Sequence, residues 1–289
     1  MSRPAGRFAP SPTGPLHFGS LLAALASYLD AHARGDRWLL RIDDLDLYRN
    51  AQGAEDAILA ALRAHGLNWD EPMIRQSDRI DRYQDALQQL ASLDAIYYCT
   101  CSRRDLRDQP VYPGSCRGNR SPISDAAIRI RVPEAQITFI DGIAGPQEER
   151  LSASCGDFII RRRDGLIAYQ LATAVDDGSA EIVSVVRGGD LLDNTARQIY
   201  LMQRLGLTPP AYAHLPMLTQ PDGAKLSKQT HAPALDNQRP VANLLAVFGF
   251  LALYPPPDAG RWTPADLLAW GVENWDLKVV QGGSAVFRH

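Results

Sequence analysis

Between residues 7 and 42 the chain runs through a strand, a glycine- and proline-rich turn, a helix and a second strand without interruption, and this succession constrains the fold more than any other feature. Arg7-Phe8-Ala9 reads as a short strand. Leu21 to Ala33 carries Leu21, Leu22, Leu25 and Leu29 at the spacing of one helix face, with Gly35 just past its end. Trp38-Leu39-Leu40-Arg41-Ile42 is a second strand. A polar loop, a helix over Ala54 to Ala64 ended by Gly66, another from about Arg79 to Leu93, and a strand at Ile96-Tyr97-Tyr98 continue the alternation. Alternating strands and helices build parallel-sheet units, so an α/β, doubly wound, Rossmann-like sheet is expected.

From Cys99 to about Asp125 the pattern gives way to a loop-rich stretch that reads as an insertion. Strand-like runs follow at Ile128 to Val132, Ile137 to Ile140, Phe158 to Arg162, Leu166 to Leu171 and Ile182 to Arg187, with a hairpin signal at Arg162-Arg163-Asp164-Gly165. Leu191 to Leu205 returns to helix, closed by Gly206, and His214 to Leu218 is a strand leading to a turn at Gln220-Pro221-Asp222-Gly223. Val241 to Leu253 and Pro264 to Trp270 read as helices separated by Pro255-Pro256-Pro257, with no further strand expected. The division that follows is residues 1–98 as the first half of a nucleotide-binding domain and 99–186 as an insertion with a β-rich segment. Residues 187–235 form the second half and 236–289 a short helical C-terminal part.

The totals bound the class. At 289 residues the chain is long enough for roughly two domains, or one large one with insertions, and no apolar run approaches the roughly 20 residues that span a bilayer. The N-terminus has no apolar signal core, so a cytoplasmic location and no membrane partner are expected; a monomer is also expected, though no residue pattern fixes it. Net charge is −3, which gives no overall support to nucleic-acid binding. Any such surface has to be local, and Arg103-Arg104, Arg117 with Arg120, Arg129 with Arg131, and Arg161-Arg162-Arg163 are its candidates. Each cluster taken alone is more simply one solvated sheet face.

Chemistry concentrates in three places. The loop Pro10-Ser11-Pro12-Thr13-Gly14-Pro15-Leu16-His17-Phe18-Gly19-Ser20 lies between a strand and a helix start, where backbone amides and close-approach glycines make an anion site that His17 would face. On its own, a loop histidine is ordinarily a polar surface residue. Lys225-Leu226-Ser227-Lys228 offers two ammonium groups around a hydroxyl on a turn after a strand, suited to a triphosphate, although paired loop lysines are also a common solubilising feature. Cys99, Cys101 and Cys116 fall within eighteen residues, and in a reducing compartment such crowding points to metal rather than disulfides. They are one short of a tetrahedral set; Cys155 is better read as a small buried hydrophobe.

"HFGS" after "RFAPSPTGPL", with "KLSK" some two hundred residues later, resembles the paired HIGH and KMSKS motifs of class I aminoacyl-tRNA synthetases. "LLRIDDLDLYR", "GLNWDE", "QSDRIDRYQDAL", "AYQLATAVDD" and "VVRGGDLLDNTARQIYLMQRLG" are similar to the glutamyl-tRNA synthetase branch, and the likeness extends to about Leu253. Full-length members continue into a helical half that reads the anticodon, whereas this chain ends at His289. It therefore resembles the truncated glutamyl-Q tRNA(Asp) synthetase family, with which the cysteine-bearing insertion and "KLSKQ" agree.

The resemblance implies a class I synthetase fold without an anticodon-binding domain, and a ligase that activates L-glutamate with ATP and magnesium without needing tRNA. The glutamyl group then goes to queuosine at the wobble position of tRNA(Asp). It implies that His17, Gly19, Ser20, Lys225, Ser227 and Lys228 bind ATP, with His17 and Lys228 acting on the developing charge. Arg7, Phe8, Ala9, Pro10 and Ser11 line the glutamate pocket with Asp43, Tyr169 and Arg187. Arg7 and Arg187 would meet carboxylates, and Asp43 the ammonium. The family has Glu where this chain has Asp43, which retains charge and loses about one methylene of reach. Asp44 and Asp46 remain readable as cap or loop residues. One structural zinc is implied on Cys99, Cys101, Cys116 and Tyr112; water or Asp105 are alternative fourth ligands. Rival readings are a minimal synthetase charging the 3′ end of tRNA, a silent RNA-binding paralogue, and a ligase passing glutamate to a small amine.

Overall fold

The computed structural model describes residues 3–134, 136–219, 235–280 and 284–286. Its first part reads β1 (Ala5–Phe8), α1 (Phe18–Ala33), β2 (Arg37–Ile42), α2 (Ala54–Ala64), β3 (Ile74–Arg75), α3 (Ile80–Ser92) and β4 (Ile96–Cys99). The middle reads β5 (Ala127–Ile130), β6 (Gln136–Asp141), β7 (Gly145–Arg150), α4 (Leu151–Ser154), β8 (Ile159–Arg161) and α5 (Tyr169–Asp177). After these come β9 (Ile182–Gly188), α6 (Leu192–Leu205), β10 (Ala211–Leu215), β11 (Met217–Thr219), α7 (Pro240–Phe248), α8 (Pro264–Glu273) and β12 (Ser284–Val286). No helix among the described residues is long and apolar enough to cross a membrane.

The main sheet has the order β3-β2-β1-β9-β10-β6-β7 and is parallel except for the β6–β7 hairpin. From β1 the chain moves to β2 on one side, and from β9 to β10 on the other. The strand order therefore reverses between β1 and β9, and such a switch point opens a crevice at the carboxyl ends of the strands. Period-two alternation divides the strands between two cores. Phe8, Leu40, Ile42, Val186, Ala213 and Leu215 pack with α1, α7 and α8. Ala5, Val185 and Tyr212 pack with α3, α5 and α6. A fully buried leucine such as Leu25 or Leu29 contributes about 1.5–3 kcal/mol to this sandwich.

The short elements β3 and α4 have no counterpart in the expected set, and four further segments differ from expectation. Residues 166–171 do not form a strand: Ile167 makes a single bridge to Arg161, and the chain enters α5 at Tyr169. Leu171, Ala172 and Ala174 bury against α6 at helical spacing, and that packing overrides the local β character. β7 is the polar edge GPQEER, whose alternate residues face solvent, and its pairing with β6 rather than apolar periodicity makes it a strand. α7 stops at Phe248, short of Leu253, because a 3₁₀ turn follows and Ala252 takes φ 56°. Past Leu253 a strand does occur: β12 runs parallel to β11, with Met217 opposite Ser284.

The stretch 99–186 divides between two sheets. β4, β5 and β8 form a separate antiparallel three-stranded sheet, while β6 and β7 extend the main one beyond β10.

Candidate active site

The turn after β1 and the start of α1 form one wall of a crevice of about 360 Å³. Phe8, Pro10, Ser11, His17, Gly19 and Ser20 line it from this side. His17 is the N-cap of α1: its extended backbone (φ −122°, ψ 174°) lets Nδ1 accept from the Ser20 amide at 3.3 Å, while Nε2 lies 3.2 Å from Ser20 Oγ. The opposite wall is Gly188, Gly189, Leu215 and Pro216, at the ends of β9 and β10. Close approach explains the glycine at 189, because a Cβ there would lie 2.6 Å from the Leu215 carbonyl oxygen. The two walls thus meet at the switch point. Lys225, Ser227 and Lys228 lie outside the described residues.

The α5 side of the same strand ends is densely charged. Alternation that sends Phe8 and Val186 into one core sends Arg7, Arg41, Arg187 and His214 to the other face, where each is under a tenth exposed. Arg7 donates to both oxygens of Asp177 at 3.0 and 2.6 Å, and Arg41 reaches Asp177 at 2.7 Å. Arg41 also forks onto Asp43 at 2.6 and 3.3 Å. The neighbouring Asp176 accepts from Gln76 and Tyr83, with Arg79 at 3.3 Å. Burial would favour the neutral form of Asp177, but Arg7 and Arg41 outweigh it and hold the carboxyl well below the usual range. For Asp43 the balance is reversed: burial prevails over Arg41, and nearby Asp177 and Asp176 add to it, so the group is lifted to about 6.

Asp43, Ser11 and Tyr169 also line a smaller recess of about 200 Å³, together with Asp46, Gln76 and Arg162. Of the expected glutamate residues, Arg7 and Asp43 are joined through Asp177 and Arg41, and Arg187 lies within electrostatic reach of Asp177, so all three surround unforeseen acidic partners. Asp176 and Asp177 are those partners, and a signal existed for them: arginines at 7 and 41 within buried strands demand carboxylates elsewhere in the chain. Asp44 caps the turn after β3 by accepting from the Ser77 amide and hydroxyl, and Asp46 pairs with Arg49 at 2.7 Å.

Arg187 is the exception within this cluster. Among the described residues no carboxylate lies within ion-pairing distance of it. Nε donates to His214 Nε2 at 3.0 Å, Nη2 to Thr195 Oγ1 at 2.9 Å, and buried Nη1 has no partner. An unsatisfied buried donor costs about 1–3 kcal/mol, which a bound acceptor would relieve.

At the end of β4 a second set of donors converges. Tyr112 Oη lies 3.4 Å from Cys99 Sγ and 3.8 Å from Cys101 Sγ, and Cys101 Sγ is 3.5 Å from Cys116 Sγ. Ligand atoms about 2.3 Å from a tetrahedral metal are about 3.8 Å apart, so these four groups fit one ion. The Cys116 amide donates to Tyr112 Oη at 2.9 Å, and the Arg129 guanidinium covers the Tyr112 ring at 3.9 Å. Asp105, the alternative fourth ligand, is occupied by the Ser102 amide and hydroxyl. Cys155 is half-buried at the edge of the second core.

The arginine clusters largely staple the protein to itself. Arg117 forks onto buried Asp157, Arg131 donates to the Asp94 and Arg117 carbonyls, Arg120 lies 3.3 Å from Asp94, and Arg163 bonds the Thr100 carbonyl. Arg103 and Arg104 are exposed.

Residues 5–112 and 115–241 match the family described as tRNA synthetases class I (E and Q), catalytic domain. The chain is 50% identical over 276 residues to glutamyl-Q tRNA(Asp) synthetase of Pseudomonas fluorescens, an alignment covering 95% of this chain and 93% of the relative. Against the protein of the same name in Pseudomonas aeruginosa the identity is 47% over 272 residues, covering 94% and 93%. The structure is similar to a glutamate tRNA ligase from Elizabethkingia meningosepticum solved with its amino acid, at 25% identity and a TM-score of 0.80 over 99% of this chain and 67% of that one. Methionyl-tRNA synthetase of Mycobacterium tuberculosis shares the fold at 12% identity and a TM-score of 0.55.

Proposed function

The chain belongs to the class I tRNA synthetases for glutamate and glutamine, and acts as a ligase; on that premise we propose that it activates L-glutamate with ATP, without tRNA, and passes the glutamyl group to queuosine in the anticodon loop of tRNA(Asp). The observation that carries the amino-acid half is Arg187, a buried guanidinium at the end of β9 that forms no ion pair with a carboxylate among the described residues and keeps one N–H donor unpaired. The names of relatives about half identical over nearly the whole chain support the acceptor.

In this reading glutamate lies between Arg7, Arg187 and Tyr169, with Asp43 meeting its ammonium. ATP occupies the larger crevice over Gly19 and Ser20, with His17 and the loop of Lys225, Ser227 and Lys228 around its phosphates. A glutamate α-carboxylate oxygen attacks the α-phosphorus, the bond to the β-phosphate oxygen breaks, and pyrophosphate leaves. In-line displacement needs positioning and charge neutralisation rather than a protein base, which is the role given to His17 and Lys228. A ring hydroxyl of queuosine then attacks the acyl carbon, releasing AMP and a proton. Magnesium would accompany ATP and share the charge of its phosphates. Zinc held by Cys99, Cys101, Tyr112 and Cys116 would cross-link the loop after β4 and has no part in these steps.

Two coupled assays test this. Glutamate-dependent exchange of pyrophosphate into ATP should proceed without tRNA. Labelled glutamate should then appear on tRNA(Asp) that carries queuosine and not on tRNA(Asp) that lacks it. Label at the 3′ end of a tRNA would instead identify a minimal glutamyl-tRNA synthetase, and absent exchange a silent paralogue.

A further inference from the structure

The groups that hold Arg187 have a feature that its neighbours lack: none of them is an anion. Arg7 and Arg41 are fixed by Asp177 and Asp43, which cancel their charge. Arg187 is fixed instead by the His214 ring, the Thr195 hydroxyl and, more loosely, the Leu191 carbonyl at 3.4 Å. A guanidinium N–H can only donate, so the ring nitrogen facing it must carry a lone pair. His214 Nε2 is therefore unprotonated and its single proton lies on Nδ1, which donates to Asp141 Oδ2 at 2.5 Å. Asp141 is held in turn, since its Oδ1 accepts from the amides of Ile143, Ala144 and His214 at 2.8–3.1 Å.

Arg187, His214, Asp141 and Thr195 are each at most 4% exposed, so water does not compete for these bonds. The register of the sheet builds the chain of contacts, with His214 directly opposite Arg187 on β10 and β9 and Asp141 opposite Tyr212 on β6. A carboxylate at position 214 would neutralise Arg187 as Asp177 neutralises Arg7. An imidazolium would repel it. The neutral tautomer locked by Asp141 orients the guanidinium without pairing its charge and leaves Nη1 for a ligand.

We infer that Asp141, His214 and Thr195 form a positioning relay that keeps Arg187 oriented and without a direct carboxylate partner, so that the site selects an amino acid bearing a side-chain carboxylate over its amide. This rests on the reading of Arg187 as a glutamate ligand. Glutamine would bring no charge to answer the guanidinium, and discrimination between the two is what the relay contributes.

The test measures pyrophosphate exchange with glutamate and with glutamine for the unsubstituted protein, His214→Leu, His214→Gln and Thr195→Val, alongside nitrogen NMR of the His214 ring. His214→Leu should raise the KM for glutamate about tenfold or more and lower the preference for glutamate over glutamine, with the KM for ATP unchanged. His214→Gln, whose amide oxygen can face Arg187 while its NH2 faces Asp141, should restore most of both. Thr195→Val removes a second acceptor from the same guanidinium and should shift glutamate in the same direction by about threefold, which keeps the test open if His214→Leu fails to fold. The ring should report a neutral, Nδ1-protonated tautomer. An Nε2-protonated ring overturns the relay, as does a His214→Leu protein with unchanged glutamate KM and preference, or one that loses glutamate and ATP affinity together. Absence of exchange in the unsubstituted protein overturns the functional reading, and the selectivity with it, while the ring signal still reports whether the hydrogen-bond chain is as described.

Discussion

At the carboxyl ends of β1 and β9 arginines and aspartates pair until one guanidinium is left over, whereas at the end of β4 three thiols and a phenol meet with no cation among their donor atoms. The donors of the first cluster suit an anion and those of the second a cation. Cys99, Cys116 and Arg187 are buried, so charge developed or left unpaired there is costly, and each cluster points to its ligand by the sign of charge its groups suit. Their rigidity has different origins. The crevice is held by parallel strands paired along their length, while the cysteine loop is tied by Arg117 on Asp157, Tyr97 on Asp157 and the stack of Arg129 on Tyr112.

The largest expected effect breaks the cysteine side. Chelation, or Cys99→Ser with Cys116→Ser, should reduce zinc measured by mass spectrometry from about one per chain to near zero and expose residues 100–120 to protease, since structural zinc commonly supplies on the order of 10 kcal/mol of local folding free energy. A protein that retains its protease resistance without metal would show the two clusters to be alike after all. On the crevice side, Lys228→Ala should slow adenylate formation about 10²- to 10³-fold, the cost of about 3–4 kcal/mol for one preorganised donor, with an unchanged thermal midpoint. Exchange near the unsubstituted rate would remove the lysine loop from the mechanism. Arg187→Gln should lower kcat/KM for glutamate by about 30-fold or more while glutamine changes little, because truncating a buried charged partner costs about 2–5 kcal/mol. Equal losses for both amino acids would mean that the uncompensated charge is not read. Tyr112→Phe should weaken zinc binding at least about tenfold in competition with a chromophoric chelator, and an unchanged affinity would pass the fourth position to water.

The smallest effect is a pH profile. Burial lifts Asp43 to about 6, so the KM for glutamate should rise as pH falls through about 6, where the carboxylate assigned to the ammonium takes up a proton. The stability effect has the opposite sense. The folded value lies above the unfolded one of about 3.9, so this group's stabilising contribution is present below pH about 4 and is lost as pH rises through about 6. Asp177, depressed by Arg7 and Arg41, contributes above the usual carboxylate range and loses that contribution on acidification. A glutamate KM flat between pH 5 and 7 would separate Asp43 from the substrate.

Local order made some of this readable in the chain. The apolar spacing from Leu21 to Leu29 and the runs at Trp38 to Ile42 and Ile182 to Arg187 fall in α1, β2 and β9, because in each the period that buries apolar side chains is also that of the element formed. Residues 166–171 were misleading because the strand-like run Leu166-Ile167 ends where helical packing against α6 takes over. The edge strand β7 has no apolar period to announce it. β12 exists only through pairing with a segment more than sixty residues away in sequence.

The sequence by itself determined the chemical inventory: arginines on alternating strand positions, three crowded cysteines with a tyrosine four residues before the last, and a histidine and glycine at a helix start. What it could not contain is which charges cancel. Asp177 neutralises Arg7 and Arg41 across 170 and 136 residues, and Asp141 locks His214 across 73. Those pairings depend on strand order and register, which long-range packing sets. Tertiary structure therefore decided that Arg187, unlike Arg7 and Arg41, has no carboxylate paired directly to it among the described residues.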